Sequence, residues 1–222
     1  PCLAGPGWGT IPVRANGRLT GASMSAPKNA ETNLFEQQQS FDFGPPRPFV
    51  RPALPAERRS VLEVIGRAFH DDPVTCHLFP KEHKRTIRWA RFSGLAIKSM
   101  GDTAHVLTTE SVQGAAVWQL PNEGRPGALT NFGIAFRFLM LAGLGARRAM
   151  RLGDLTSAHR PSEPHYYLGV LGTDPDQQSK GIGSALIQPV LDRCDKERMP
   201  AYLESSKKKN LSFYQKHGFE VI

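Results

Sequence analysis

Cysteine is scarce in this chain: Cys2, Cys76 and Cys194 form an odd, scattered set with no CxxC pair. That spacing argues against a disulfide framework or a zinc site and predicts thiols in a reducing compartment. The seven histidines also lack ligand-like spacing, so no metal is expected. Long apolar runs are missing as well. The longest, Phe132 to Ala146, is broken by Arg137 and falls short of the roughly 18 to 20 residues a membrane span needs. No secretory signal pattern is read at the N-terminus, and the expectation is a cytoplasmic protein with no membrane partner. The first residue is Pro1, and the native start is expected either at Met24 or upstream of the sequence.

Residues 1–47 are short of apolar side chains and rich in Gly, Pro, Ser, Asn and Gln, with a Gln37-Gln38-Gln39 run. Such a segment buries too little surface to order itself and is predicted to be a disordered N-terminal extension. Over the whole chain, 40% apolar and 22% charged residues suffice for one packed domain, placed at residues 48–222. The net charge of +8 favours an anionic partner such as nucleic acid, a membrane surface or a phosphorylated cofactor, or else a solvated basic surface. Basic residues are spread along the chain without an aromatic-rich RNA signature, so nucleic acid is not expected.

Periodicity predicts a strand at Phe49–Arg51 and a helix over 56–69 with Val61, Leu62, Val64, Ile65 and Phe69 inward, stopped by Asp71-Asp72-Pro73. A second helix is expected over 82–100, then a hairpin of strands 104–109 and 115–120, then a helical stretch over 128–152. The last third reads as a buried strand over 166–173, a turn at Asp174-Pro175-Asp176, a helix over 181–196 and a short strand over 201–204. A compact helix opens at Asn210 as N-cap and closes at Gly218, and Phe219–Ile222 starts a further strand. Pro189 falls inside the helix over 181–196, where it removes a backbone hydrogen bond and should kink it.

The segment Gln178-Ser179-Lys180-Gly181-Ile182-Gly183-Ser184 joins a strand to a helix. Its glycines let backbone approach an anion, and the helix N-terminus offers N–H groups to phosphate oxygens. A dinucleotide fingerprint would need a third glycine where Leu186 stands, and a Walker A loop needs Lys after the glycine, whereas Lys180 precedes Gly181. A plain tight turn is the remaining alternative.

Gln178-x-x-Gly181-x-Gly183, followed by Asn210-x-x-Phe213-Tyr214-x-x-x-Gly218-Phe219, resembles the two signature blocks of the GNAT superfamily of N-acetyltransferases. The stretch His159 to Gly183, with Ala116-Val117-Trp118 and Tyr202-Leu203-Glu204-Ser205-Ser206, resembles small-molecule acetyltransferases of the puromycin N-acetyltransferase type. The resemblance covers residues 49–222. It implies an α/β GNAT fold whose mixed central sheet has splayed strands and flanking helices, with acetyl-CoA as cosubstrate. It also implies that strands following the tyrosine-bearing helix lie beyond the sequence. Ser179 departs from the pattern, standing where glycine is frequent.

The activity implied is acetyl transfer to a small-molecule amine by direct attack in a ternary complex. The alternatives are a peptide or protein amine as acceptor, or a catalytically silent CoA-binding module; the expected state is monomer or homodimer. Backbone of Leu171, Gly172 and Thr173 would bind the pantetheine arm, one N–H acting as an oxyanion-hole donor. Gln178, Ser179, Lys180, Gly181, Ile182, Gly183 and Ser184 would cradle the pyrophosphate, with Asn210 also on the cofactor. Tyr214 is the candidate general acid or a core aromatic; Glu204 is a base, an amine-orienting charge or a salt-bridge partner of Lys207-Lys208-Lys209. Gly169 and Gly172 suit a strand bordering a slot, or mark a bulge. Asp71 and Asp72 bind a cationic substrate or simply stop a helix, and Trp118 walls the acceptor pocket or lies in the core.

Overall fold

The computed structural model describes residues 11–15, 48–121, 138 and 143–222. Seven strands form one mixed sheet: β1 (Ile11–Ala15), β2 (Val50–Pro52), β3 (Ala104–Thr109), β4 (Gly114–Gln119), β5 (Tyr166–Thr173), β6 (Ala201–Ser205) and β7 (Phe219–Val221). Their spatial order is β2-β3-β4-β5-β6-β1-β7. All neighbours are antiparallel except β5 and β6, which run parallel. Helices α1 (Arg58–Ala68), α2 (Pro73–Leu78), α3 (Glu82–Met100), α4 (Ala146–His159), α5 (Ile182–Glu197) and α6 (Leu211–Lys216) complete the described architecture.

Two apolar clusters sit on the two faces of the sheet. On one, Leu186, Ile187 and Val190 of α5 pack with Trp118, Tyr166, Leu168, Leu203 and Phe219. On the other, Val61 and Ile65 of α1 pack with Trp89 of α3 and with Phe79, Ala115 and Val117. The α1 residues follow the helical period expected of one buried stripe. Gly66 permits the close crossing of α1 and α3, since a Cβ there would lie 2.7 Å from the Thr86 carbonyl oxygen.

The register of β5 decides where a site can form. It pairs with β4 from Tyr167 to Thr173, but with β6 only at Tyr166↔Ala201, Tyr167↔Tyr202 and Leu168↔Leu203. Beyond those three pairs the strands separate. Opposite Gly169 the β4–β5 register slips, because Val117 pairs with Val170 and Trp118 with Leu168, leaving Gly169 as the extra residue of a bulge. The bulge reading of Gly169 therefore holds, and it stands where the two parallel strands part. Trp118 is fully buried, which places it in the core rather than on a pocket wall.

Three expectations are corrected. Residues 11–15, expected within a disordered extension, form β1, which pairs with all of β6 and with β7. All five residues pair with β6, the last three also with β7, and Val13 is wholly buried, so the segment gains a ladder and an apolar seat that composition does not register. The rest of 1–47, and residues 128–137 and 139–142 of the expected helical stretch, lie outside the described residues. Asp71-Asp72-Pro73 ends α1 but also starts α2: Asp72 Oδ1 accepts from the N–H of Val74 at 2.9 Å, with Pro73 at the first helical position. Finally, Cys76 is disulfide-bonded, whereas Cys194 is free and buried.

Because β1 is an interior strand, Val13→Asp should destabilise the fold by about 3 kcal/mol or more, the cost of placing an unpaired charge in the core. A thermal midpoint within a degree or two of the parent would contradict the placement of β1.

Candidate acetyl-CoA site

The separating ends of β5 and β6 open into a cavity of about 470 Å³. Leu171, Gly172 and Thr173 form one wall, Lys207, Asn210, Phe213 and Tyr214 another, and Ala68, Phe69 and Asp72 from the end of α1 a third. Gln178, Ser179, Gly181, Ile182, Gly183 and Ser184 close one end. The structure thus brings together every residue expected at the cofactor except Lys180. That side chain bonds to Gln177 Oε1 at 2.9 Å and lines a second depression, which shares Ser179, Gly181, Ile182 and Ser184.

The loop owes its shape to two residues in the left-handed region, Ser179 at φ +65° and Gly181 at φ +76°. This explains why glycine would suit position 179: serine there carries a Cβ penalty that glycine avoids. Helix α5 begins at Ile182, and the N–H groups of its first turn have no intrahelical acceptor. Open space surrounds a Cβ built on Gly181, whereas one on Gly183 would touch the Phe213 ring at 3.4 Å. The loop, the helix start and the nearby Lys207 and Lys209 make a cradle suited to a phosphate-bearing ligand. Asn210 precedes α6 without a side-chain cap hydrogen bond, so its amide faces no helical duty there.

Asp72 was underestimated in the sequence. Buried at 4% exposure, its Oδ2 accepts from Ser206 Oγ at 2.5 Å and lies 3.9 Å from Lys207 Nζ. It ties the α1–α2 turn to the segment after β6 across the cavity. The aspartate–proline pattern signalled only a turn, because burial of the carboxylate depends on a partner 134 residues away.

Tyr214 lies at the cavity with 8% exposure, between Phe213 and Phe219. Desolvation, and secondarily the charge of Asp72, pushes its hydroxyl up to about 12, so it carries its proton at neutral pH. Core packing and cavity exposure of the hydroxyl are met by the same residue. Glu204 is not a wall of this cavity. It is the first β6 residue beyond the paired region, is half-buried, and accepts from Tyr167 Oη at 2.7 Å. Desolvation raises its carboxyl above the ordinary range, opposed by hydrogen bonds from Tyr167 and Tyr202 and by the charge of Arg160. Its partners are phenols rather than the lysine run.

Among the described residues, no group of three His, Cys, Asp or Glu is placed to hold a metal, and no helix is long and apolar enough to cross a membrane.

Comparison with known proteins agrees with this geometry. The model of the acetyltransferase (GNAT) family matches residues 143–219, which carry β5, the loop, α5, β6 and α6. An uncharacterized N-acetyltransferase of Schizosaccharomyces pombe is 27% identical over 164 residues, spanning 68% of this chain and 66% of that relative. The crystal structure of histone acetyltransferase HPA2 and related acetyltransferase from Corynebacterium glutamicum superposes with a TM-score of 0.59 at 20% identity, covering 78% of this chain and 84% of that one. The architecture is the GNAT fold, a mixed sheet with flanking helices.

All four tyrosines are held above their ordinary pKa, chiefly by desolvation. Absorbance at 295 nm should therefore show almost no tyrosinate in the folded protein at pH 10.5, and all four tyrosines should titrate once it unfolds. Because the unfolded chain releases these protons near pH 10 and the folded one keeps them, stability should fall as pH rises past 10. An ordinary phenol titration near pH 10 with the fold intact would contradict this burial.

Proposed function

We propose that the protein is an N-acetyltransferase taking its acetyl group from acetyl-CoA and passing it to a small-molecule amine, of the puromycin N-acetyltransferase type. One observation carries the reading: residues of the loop before α5, the end of β5 beyond its pairing with β6, and Tyr214 line one cavity. When bound, the cosubstrate supplies an activated thioester; the chain's own residues supply position, charge and protons.

The first-turn N–H groups of α5 and the backbone at Gly181 bind the pyrophosphate, helped by the charges of Lys207 and Lys209. The second depression, on the other side of the loop, takes the nucleotide end. The free edge of Leu171–Thr173 offers backbone N–H and C=O groups to the amide-bearing arm, because β6 is no longer there to use them. One N–H polarises the thioester carbonyl. Holding both reactants in this geometry supplies several kcal/mol of the barrier.

Proton balance assigns the two side chains. As the amine nitrogen bonds to the carbonyl carbon and the C–S bond breaks, nitrogen must lose one proton and sulfur must gain one. Glu204, raised toward neutrality by desolvation, takes the first, directly or through water. Tyr214, protonated and on the cavity side, gives the second to a thiolate whose pKa is about 8.5.

Two substitutions test the reading. Tyr214→Phe keeps the ring packed and removes the hydroxyl, so turnover should fall by roughly 10² to 10⁴ while acetyl-CoA affinity changes little. Gly181→Val places a β-branched residue at φ +76° and should weaken acetyl-CoA binding about tenfold or more. Turnover within a factor of about three of the parent in the first, with chemistry rate-limiting, returns Tyr214 to the core. Unchanged affinity in the second removes the loop from the cofactor site.

A further inference from the structure

At the point where β5 and β6 part, outside the lining of the cofactor cavity, lies a second set of side chains that the transfer chemistry does not fully use. Gly169 is exposed although it sits in the middle of a central strand, so the sheet is uncovered there. A bare bulged glycine in a sheet marks a place where a ligand can approach backbone. A Cβ built on Gly169 would lie 3.3 Å from the Met100 methyl and 3.4 Å from the Tyr167 ring, so an apolar and an aromatic side chain border the exposed glycine closely. Tyr167 and Tyr202 stack with ring centroids 6.1 Å apart, and His165 meets Tyr202 edge-on at 5.6 Å. Beside the phenols the Glu204 carboxyl accepts from Tyr167 Oη at 2.7 Å, and Tyr202 and the charge of Arg160 also favour its ionised form against desolvation. Aromatic faces beside a half-buried carboxylate attract a cation.

A cation already lies there. The Arg160 guanidinium carbon is 4.1 Å from the Tyr167 ring centroid. The residue is exposed, and its side chain is held by two further contacts, Nη2 to Gln119 Oε1 at 2.9 Å and Nε to His165 Nε2 at 3.2 Å. None of these contacts is buried, so the guanidinium can leave at small cost.

We infer that Tyr167 and Glu204, backed by the buried Tyr202, form the acceptor site, that it takes a primary amine as its ammonium ion carried on an apolar body, and that Arg160 is a built-in competitor which the amine displaces. The inference rests on the acetyltransferase reading for its chemistry, but not for the existence of the cation site. Displacement leaves the ammonium beside Glu204, which takes one proton and passes it to solvent before receiving the second as the C–N bond forms, and the apolar body lies along Gly169 and Met100. Arg160 thereby sets selectivity: a weakly stacking cation fails to displace it, and a neutral alcohol of the same shape has no charge to compete with.

Benzylamine is the probe, titrated calorimetrically into the full chain without acetyl-CoA and then used as acceptor in a thiol-release assay. Arg160→Ala should tighten benzylamine binding roughly threefold to tenfold, the span of a partly exposed cation–π contact, and lower KM by a similar factor with kcat little changed. Excess methylguanidinium should cancel that gain in Arg160→Ala by refilling the site. Tyr167→Leu, added to Arg160→Ala, should abolish the gain, and benzyl alcohol should not bind any variant saturably. If Arg160→Ala lowers the thermal midpoint, Arg160→Gln carries the same test. Binding no tighter than the parent, a gain that survives Tyr167→Leu, or no saturable benzylamine binding to any variant overturns the proposal. Acetyl-CoA binding, measured separately, distinguishes the two readings. If acetyl-CoA does not bind while benzylamine follows the pattern, the transferase reading fails and the cation site stands; if acetyl-CoA binds and turns over but Arg160→Ala changes nothing, the acceptor site alone fails.

Discussion

The parting of two parallel strands is the constraint on which the rest of this structure depends. β5 and β6 share three residue pairs and then diverge, and each is held in its divergent course by its outer neighbour. β4 follows β5 to Thr173, and β1 follows β6 to Ser205. The gap is therefore not a frayed edge but the consequence of two complete ladders pulling on either side. Backbone groups facing that gap have lost their natural partner, and a buried amide without a partner is costly unless a ligand or water satisfies it. A long ligand with its own amides is what such a gap selects.

Three distant stretches of chain converge on the opening: the turn between α1 and α2, the loop before α5, and the segment after β6. Asp72 links the first to the third through Ser206 and Lys207, and Arg67 links α1 to Asp174 at the start of the second, at 2.5 Å. These contacts hold the three stretches around the cavity relative to one another, as the proposed chemistry would demand of its parts. Lys207, Lys209 and the helix N–H groups line the cavity together with the buried carboxylate of Asp72, whereas Glu204 lies outside its lining and bonds to Tyr167.

Local patterns in the sequence carried much of this. The hairpin β3–β4, the strand at 166–173, the helices over 58–68 and 82–100 and the loop–helix junction all follow from periodicity and punctuation, and the structure has them within a residue or two. Gly218, expected as a helix terminator, has φ +83°. What escaped was non-local. The segment Ile-Pro-Val-Arg-Ala holds only two strong strand formers and stands among Gly and Pro residues, so its strand character comes from two partners nearly 200 positions away. Asp72 reads as punctuation because its carboxylate is defined by Ser206. Arg160 and Tyr167 are seven residues apart across a Pro-containing turn, and only the fold lays one over the other. Pro189 sits inside α5, on its exposed face, with helix continuing on both sides.

The central claim is that this gap and the loop beside it form one binding surface for acetyl-CoA. Backbone amide shifts of isotopically labelled protein during titration with acetyl-CoA test it most directly, because they report location rather than activity. The account predicts saturable shifts concentrated at Leu171–Thr173, at Gly181–Ser184 and at Asn210–Tyr214, with a separate groove between α1 and α3, lined by Leu62, Ile87 and Ala90 among arginines, unmoved. Shifts centred on that groove, with the loop and the free edge of β5 undisturbed, would contradict it.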